Sequence, residues 1–166
     1  NNIKNLNLAV IGLGYVGLPL SLEFAKKKNV IGYDPDKKRI SQLISGFDRN
    51  IEISKKEIKR NKNIKFTSLK KDLFNSDCFI VTVPTPIDEN KKPNLKPLID
   101  VSKMLGKIIK KGNIVIFEST VYPGCTEEKC VPILERFSKL KYNKDFFCGY
   151  SPERINPGDR KYKIGN

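Results

Sequence analysis

Residues 6–17 read Leu-Asn-Leu-Ala-Val-Ile-Gly-Leu-Gly-Tyr-Val-Gly, and this segment is the strongest indication of the fold. An apolar, strand-like run over 6–12 leads directly into a Gly-x-Gly-x-x-Gly turn. Apolar spacing then predicts a helix over 15–28 and a second strand over 29–34, which ends in Asp34. A strand, a glycine turn, a helix and a second strand ending in an acid form the pattern of a dinucleotide-binding βαβ unit.

Each glycine of the turn has a physical reason. Gly12 permits the tight turn, Gly14 lets the backbone approach a pyrophosphate, and Gly17 allows the helix to pack closely on the strand. The N–H groups at the start of the helix are available to an anion. We therefore expect the turn, including Tyr15 and Val16, to bind a dinucleotide; the alternative is a glycine-rich turn with no ligand.

Asp34 predicts which dinucleotide is bound. A carboxylate at the end of the second strand accepts hydrogen bonds from the adenosine ribose and repels a 2′-phosphate, which favours NAD over NADP. Arg39 follows in the next predicted helix, 36–45, where it could reach a phosphate or stack on adenine. We predict NAD as the cofactor.

Strand-like and helix-like segments alternate along the rest of the chain. Further strands are predicted over 64–67, 78–83, 113–118 and 146–150. Helices are predicted over 54–59, over 95–110 up to Gly112, and over 126–140, with Thr126 as N-cap and a kink at Pro132. This alternation predicts one α/β domain over 1–166, a doubly wound parallel sheet of about six strands.

Polar residues follow three of the later strands. In an open parallel sheet, ligands lie beyond the carboxyl ends of the strands, so Thr85 and Thr120 are placed to meet the nicotinamide half of the cofactor. After the sixth strand, Glu153 and Arg154 lie between two prolines, where they could transfer a proton and bind an anionic substrate. The alternatives are ordinary strand-end capping for the threonines and a surface salt bridge for the charged pair.

Composition excludes several classes of protein. Among the 166 residues there is no histidine, which rules out a Ser-His-Asp triad or a histidine metal site within them. The four cysteines, at 78, 125, 130 and 148, form no metal-binding spacing, and we expect no metal. No apolar run approaches the ~18 residues of a membrane span, and no signal-peptide pattern is present. We expect a cytoplasmic protein without membrane contacts.

The formal net charge is +14, with a dense basic block over 55–71. A polyanion-binding surface is one interpretation of this block. The block contains one arginine and a single aromatic residue, Phe66, so its lysines are not regularly interleaved with aromatic side chains, and no nucleic-acid-binding motif is present. We favour a solvated lysine-rich surface and expect no specific nucleic-acid partner.

Four motifs together resemble the UDP-glucose/GDP-mannose dehydrogenase family. They are Gly-Leu-Gly-Tyr-Val-Gly-Leu-Pro-Leu, Val-Pro-Thr-Pro, Glu-Ser-Thr-Val-Tyr-Pro-Gly and Tyr-Ser-Pro-Glu-Arg-Ile-Asn-Pro-Gly-Asp, in that order. The resemblance extends over residues 6 to about 160. The Pro-Glu-Arg-Ile motif is similar to the branch of the family that oxidises UDP-N-acetylhexosamines.

The resemblance implies two successive NAD-linked oxidations at the sugar C6, from alcohol to carboxylate, in the synthesis of surface polysaccharide precursors. The positions that match NAD contacts are Val16, Asp34, Arg39, Thr85 and Thr120. Glu153 matches an active-site carboxylate and is implied to be catalytic together with Thr120, whereas Glu153, Arg154 and Ile155 match substrate contacts. A homodimer is implied for a full-length member.

The family's cysteine nucleophile, its lysine partner, the central dimerising helix and the C-terminal UDP-binding domain all follow the segment that these residues match. We therefore expect the 166 residues to form the NAD-binding domain without those parts, and to be inactive alone. Two alternatives stay open. One is a related 6-phosphogluconate- or 3-hydroxyacid-type dehydrogenase domain, and the other is a non-catalytic NAD-sensing domain.

Overall fold

Six strands and five α-helices alternate in the computed structural model, which describes residues 6–86 and 93–151. The strands are β1 (Leu8–Ile11), β2 (Val30–Tyr33), β3 (Ile64–Thr67), β4 (Cys78–Val81), β5 (Ile114–Phe117) and β6 (Phe147–Tyr150). The helices are α1 (Gly17–Ala25), α2 (Lys37–Ser45), α3 (Lys55–Arg60), α4 (Lys96–Gly106) and α5 (Val131–Ser138). A 3-10 turn, Lys70–Leu73, and a π turn, Thr126–Cys130, complete the elements.

The sheet is parallel throughout, with the strand order β3-β2-β1-β4-β5-β6. The predicted six-stranded doubly wound sheet is therefore confirmed. From β1, strands β2 and β3 are added on one side of the sheet, and β4, β5 and β6 are added on the other. The direction of strand addition thus changes between β1 and β4, where Ile11 is in register with Val81. The loops that follow these two strands diverge at the carboxyl edge, which opens a crevice between them.

Two apolar clusters hold the layers together, one on each face of the sheet. Because side chains alternate along a strand, Ala9 and Ile11 join the cluster under α4 and α5, whereas Leu8 and Val10 join the cluster under α1 and α2. Every residue of β1 and β4 is buried, as expected for central strands of a parallel sheet. No helix in the described ranges is both long and apolar enough to cross a bilayer.

Local capping explains where α2 and α3 begin. Asp36 accepts hydrogen bonds from the N–H groups of Lys38 and Arg39 and so caps α2. Ser54 and Glu57 form a reciprocal capping box at the start of α3. Both helices lie within one residue of the predicted ranges, 36–45 and 54–59.

The predicted capping role of Thr126 is wrong. Thr126 lies inside a π turn, and its Oγ1 is buried without a hydrogen-bond partner among the described residues. The π turn ends where α5 begins, next to Pro132, which has no N–H to continue an α-helical ladder from the preceding turn. A change in helix type thus lies beside Pro132, whereas the kink expected there stays a prediction.

Two other helices are shorter than predicted. The helix predicted over 15–28 spans Gly17–Ala25, and the helix predicted over 95–110 ends at Gly106. Beyond Gly106, the N–H groups of Ile108 and Ile109 both bond to the Leu105 carbonyl, in a tightened terminal turn. The side chains of Ile108 and Ile109 are still buried, which explains why their apolar spacing predicted more helix.

Candidate functional site

A cavity of about 830 Å³ lies at the carboxyl edge of the sheet, over the crevice between β1 and β4. Its walls come from the runs 11–16, 33–35, 82–85 and 118–120, which follow β1, β2, β4 and β5. Arg39, Arg49, Asn50 and Lys70 line one end, and residues of α4 line a side wall. The topology thus brings the predicted glycine turn, the acid and the strand-end threonines into one site.

The glycine turn is fixed by its neighbours on both sides. Gly12 has φ +95°, a conformation that suits glycine, and its N–H donates to the Tyr33 carbonyl at 2.8 Å. From the other side, Thr82 Oγ1 donates to the carbonyl oxygens of Gly12 at 2.7 Å and Ile11 at 3.1 Å. Contacts within the protein therefore hold the turn in this conformation.

Gly14 and the start of α1 leave open space where a phosphate group would fit. A Cβ atom built on Gly14 has no heavy atom within 4 Å. Helix α1 has no side-chain cap at its N-terminus and no acid in its first turn, so its N–H groups and dipole are available to an anion. Both features fit the phosphate-binding role predicted for the turn.

Asp34 lies half-buried at the end of β2, held by the backbone. Its Oδ2 accepts from the Leu13 N–H at 2.9 Å, and its Oδ1 accepts from the Asp36 N–H at 2.9 Å. Each carboxylate oxygen has more than one acceptor site, so a ribose hydroxyl can still donate to it. The neighbouring Tyr33 has a raised pKa because the ring is buried and, second, because the Asp34 charge lies close by.

Arg39 lines the cavity, but most of its guanidinium contacts are with other protein groups. Its guanidinium is 1% exposed, with Nε donating to the Leu13 carbonyl at 2.9 Å and Nη1 donating to Asp48 at 2.7 Å. Its Nη2 has no hydrogen-bond partner among the described residues. The two N–H groups of this buried nitrogen therefore have no described acceptor beside the cavity, which fits the predicted cofactor contact.

The strand-end threonines meet at the opposite part of the cavity. Thr85 Oγ1 donates to the Thr120 carbonyl at 2.8 Å, and Ser119 Oγ donates to the Val83 carbonyl at 2.9 Å. These two bonds tie the segments after β4 and β5 to each other. Thr85 and Thr120 thus line one wall, as their positions predicted.

Three predicted site residues, Glu153, Arg154 and Ile155, lie outside the described residues. The structure therefore brings together the residues that were predicted to bind the cofactor, and both their role and that of the substrate residues stay predictions. Glu118, which the sequence analysis did not single out, lines the described cavity.

Burial disfavours the thiolate form of the cysteines, which is the form that acts as a nucleophile. Burial raises the pKa of Cys125, and it raises the pKa of Cys78 and Cys130 to about 11 and that of Cys148 to about 12. These groups remain neutral thiols at neutral pH. Within 6–86 and 93–151, no group of three or more His, Cys, Asp or Glu side chains could hold a metal ion.

Other residues that shape the site and were not predicted include Thr82, Asp48, Arg49 and Asn50. Thr82 carried a signal, since it follows a buried strand at the expected switch point. Asp48 and its neighbours carried none, because they lie in a polar connection without periodicity and act through tertiary contacts.

Comparison with known proteins agrees with this geometry. The UDP-glucose/GDP-mannose dehydrogenase family, NAD binding domain, matches residues 6–166. The UDP-N-acetyl-D-glucosamine 6-dehydrogenase of Pseudomonas aeruginosa is 55% identical over 164 residues, which cover 99% of this chain and 39% of that relative. The chain thus spans well under half the length of this relative.

Solved structures show the same similarity. The UDP-D-ManNAc dehydrogenase of Pyrococcus horikoshii matches with a TM-score of 0.82 and 35% identity, over 92% of this chain and 37% of that one. A ternary complex of GDP-mannose dehydrogenase from Pseudomonas aeruginosa matches with a TM-score of 0.85 and 26% identity, over 90% and 36% of the two chains. The chain belongs to the UDP-glucose/GDP-mannose dehydrogenase family, and it matches the NAD-binding domain of that family.

Proposed function

We propose that this chain is the cofactor-binding part of a UDP-sugar 6-dehydrogenase that acts on a UDP-N-acetylhexosamine. The reaction would oxidise the C6 hydroxyl to a carboxylate with two NAD, for the synthesis of surface polysaccharide precursors. The observation that carries the proposal is the glycine turn held beside Asp34 by hydrogen bonds, in a chain 55% identical to a UDP-N-acetyl-D-glucosamine 6-dehydrogenase. The full-length protein would be a homodimer.

Different residues of the cavity would bind different parts of the cofactor. The start of α1 and the open space at Gly14 would receive the pyrophosphate, and Asp34 would accept hydrogen bonds from the adenosine ribose. Tyr15, Val16 and the free Nη2 of Arg39 would add contacts to the same molecule. When NAD is bound, it supplies the hydride acceptor.

Thr85 and Thr120 would orient the nicotinamide half, because they line the part of the cavity that follows β4 and β5. The Thr85–Thr120 hydrogen bond fixes the separation of these two segments, which limits how far the ring can shift. Thr120 would also be a catalytic residue, together with Glu153. Further along the chain, Glu153 would hold or transfer a proton and Arg154 and Ile155 would contact the UDP-sugar.

A chimera tests this proposal directly. This chain would replace the matching 164 residues of the Pseudomonas aeruginosa relative, and NADH formation from UDP-N-acetyl-D-glucosamine would be followed. We expect turnover with NAD, whereas the 166 residues alone should bind NADH and form none from any UDP-sugar. The chimera supplies the distant binding contacts that the isolated chain cannot use to position C6.

The control variant in the chimera is Arg154→Ala, which should raise KM for the UDP-sugar and leave NADH affinity unchanged. A folded chimera that binds NADH but oxidises no UDP-N-acetylhexosamine would overturn the proposal. Turnover by the 166 residues alone would show that the catalytic group lies within them.

A further inference from the structure

Two arginines line the same end of the cavity as Asp34, and each is held by a carboxylate. Arg39 pairs with Asp48, and Arg49 pairs with Asp36. The two pairs differ in burial: the side chains of Arg39 and Asp48 are each 1% exposed, whereas those of Arg49 and Asp36 are 43% and 40% exposed. Only the first pair is shielded from solvent, so only its geometry is tightly fixed.

Asp48 is the centre of the loop that joins α2 to α3. Besides the Arg39 guanidinium, its Oδ1 accepts from the Asn50 N–H at 3.2 Å. Its Oδ2 accepts from the N–H groups of Glu52 at 3.0 Å and Ile53 at 3.1 Å. A carboxylate with this many donors is held in place from several directions, and it holds Arg39 in turn.

The position of Arg39 bears on cofactor choice. A cation near the adenosine ribose is what a site for NADP needs, since it accommodates the 2′-phosphate. Arg39 lies five positions after Asp34 and lines the cavity, and its Nη2 has no hydrogen-bond partner among the described residues. A released guanidinium at this position would attract the phosphate that Asp34 repels.

We propose that Asp48 is a specificity-determining residue of the cofactor site. By holding the Arg39 guanidinium in a buried ion pair, Asp48 keeps that cation from a 2′-phosphate and reinforces the selection of NAD over NADP by Asp34. The inference rests on the binding of NAD in this cavity. It assigns Asp48 a role through Arg39 and requires no contact between Asp48 and the cofactor.

The test measures the dissociation constants of NADH and NADPH for the 166-residue chain by nucleotide fluorescence. Asp48→Asn keeps the side-chain shape and removes the charge. We expect the ratio of the NADPH to the NADH dissociation constant to fall about fivefold to tenfold, the effect of one gained charge-assisted hydrogen bond. Asp48→Ser also removes the carboxylate that holds the Arg39 guanidinium. It keeps an oxygen that can accept from the loop N–H groups, and it leaves space for water.

Two controls separate this effect from general electrostatics and from damage to the fold. Asp36→Asn removes the same charge from the exposed pair and still caps α2, so we expect the ratio to stay within about twofold of wild type, because exposed pairs are screened. The double variant Arg39→Met with Asp48→Asn removes both charges of the buried pair. It should fold, because replacing both partners avoids an unpaired buried charge, and it should return the ratio to the wild-type value.

Each outcome decides the question. A lower ratio in either Asp48 variant, restored in the double variant, supports the proposal. Equal weakening of both cofactors with no change in ratio would leave Asp48 a structural residue and overturn it. A double variant that loses NADPH selectively would show that Arg39 already serves the phosphate in the wild type, which also overturns it. Failure of the wild-type chain to bind NADH would instead overturn the cofactor assignment itself.

Discussion

Replacing Gly17 by alanine should destabilise the fold around the cavity, because the added Cβ would clash with neighbouring atoms. An ideal Cβ on Gly17 would stand 3.0 Å from the Gly12 carbonyl carbon, and far closer than that to the Gly12 carbonyl oxygen and to Thr82 Oγ1. The Gly12 atoms belong to the backbone of the turn, which is fixed by its bonds to Tyr33 and Thr82. The clash therefore cannot be relieved by a side-chain rotation.

The cost can be worked from these contacts. Overpacking in a core costs typically about 1–3 kcal/mol, and here the turn itself must move and lose the Thr82 hydrogen bond, so we expect a loss of at least about 3 kcal/mol. With a urea slope of about 2 kcal/mol per molar, the unfolding midpoint should fall by about 1.5 M or more.

Gly14→Ala is the matched control, since a Cβ there meets no heavy atom within 4 Å. Its free energy of unfolding should stay within about 0.5 kcal/mol of wild type, as for an ordinary surface substitution. Its affinity for NADH should nevertheless fall more than about tenfold, because the methyl group occupies the space of the pyrophosphate. The assays are urea unfolding by circular dichroism and NADH titration. Wild-type stability in Gly17→Ala, or wild-type NADH affinity in Gly14→Ala, would refute the assigned roles.

Three further predictions follow from the same contacts. Asp34→Ala should lose about 1.5–3 kcal/mol of NADH affinity by calorimetric titration, and less of its NADPH affinity, because a charged acceptor for the ribose is removed. Thr82→Val keeps the side-chain shape but removes the hydroxyl that donates to the Gly12 carbonyl, whereas the Ile11 carbonyl keeps its bond from the backbone N–H of residue 82, so urea unfolding should show a loss of about 1–3 kcal/mol. The pKa of the Cys148 thiol is raised to about 12 from 9.0, so the unfolded chain releases this proton first and the free energy of unfolding should fall as pH rises between these values. Cys148→Ala should flatten that decline in a urea series across pH; an unchanged slope would contradict the burial of the thiol.

The parts of the site that local spacing dictates could be predicted from the sequence. The glycine turn must follow β1 directly, and Asp34 must end β2, because the βαβ unit brings only these positions beside the start of α1. Thr85 and Thr120 were predictable for a related reason, since parallel strands present their carboxyl ends at one edge of the sheet.

The features that depend on tertiary contacts could not be predicted. Thr126 has the residue type of an N-cap, but it lies within a π turn whose form is set by Pro132 and by packing. Ile108 and Ile109 keep helical spacing beyond the end of α4 because burial, rather than helix formation, selects them. The contact between Asp48 and Arg39 depends on the path of a polar loop, for which the sequence contains no periodic signal.

The placement of β4 beside β1 also sets when the cavity can form during protein synthesis. Thr82 donates to the Gly12 carbonyl but lies 70 residues further along the chain. The ribosome therefore synthesises the glycine turn well before the residue that stabilises it. A nascent chain that ends before β4 contains the glycine turn and Asp34, but it lacks the residues after β4 and β5 that form the other wall of the cavity. A chain truncated after residue 77 should therefore gain no protease resistance from NADH, whereas the 166-residue chain should. The nucleotide can stabilise the finished sheet, but it cannot act as a template for the first strands.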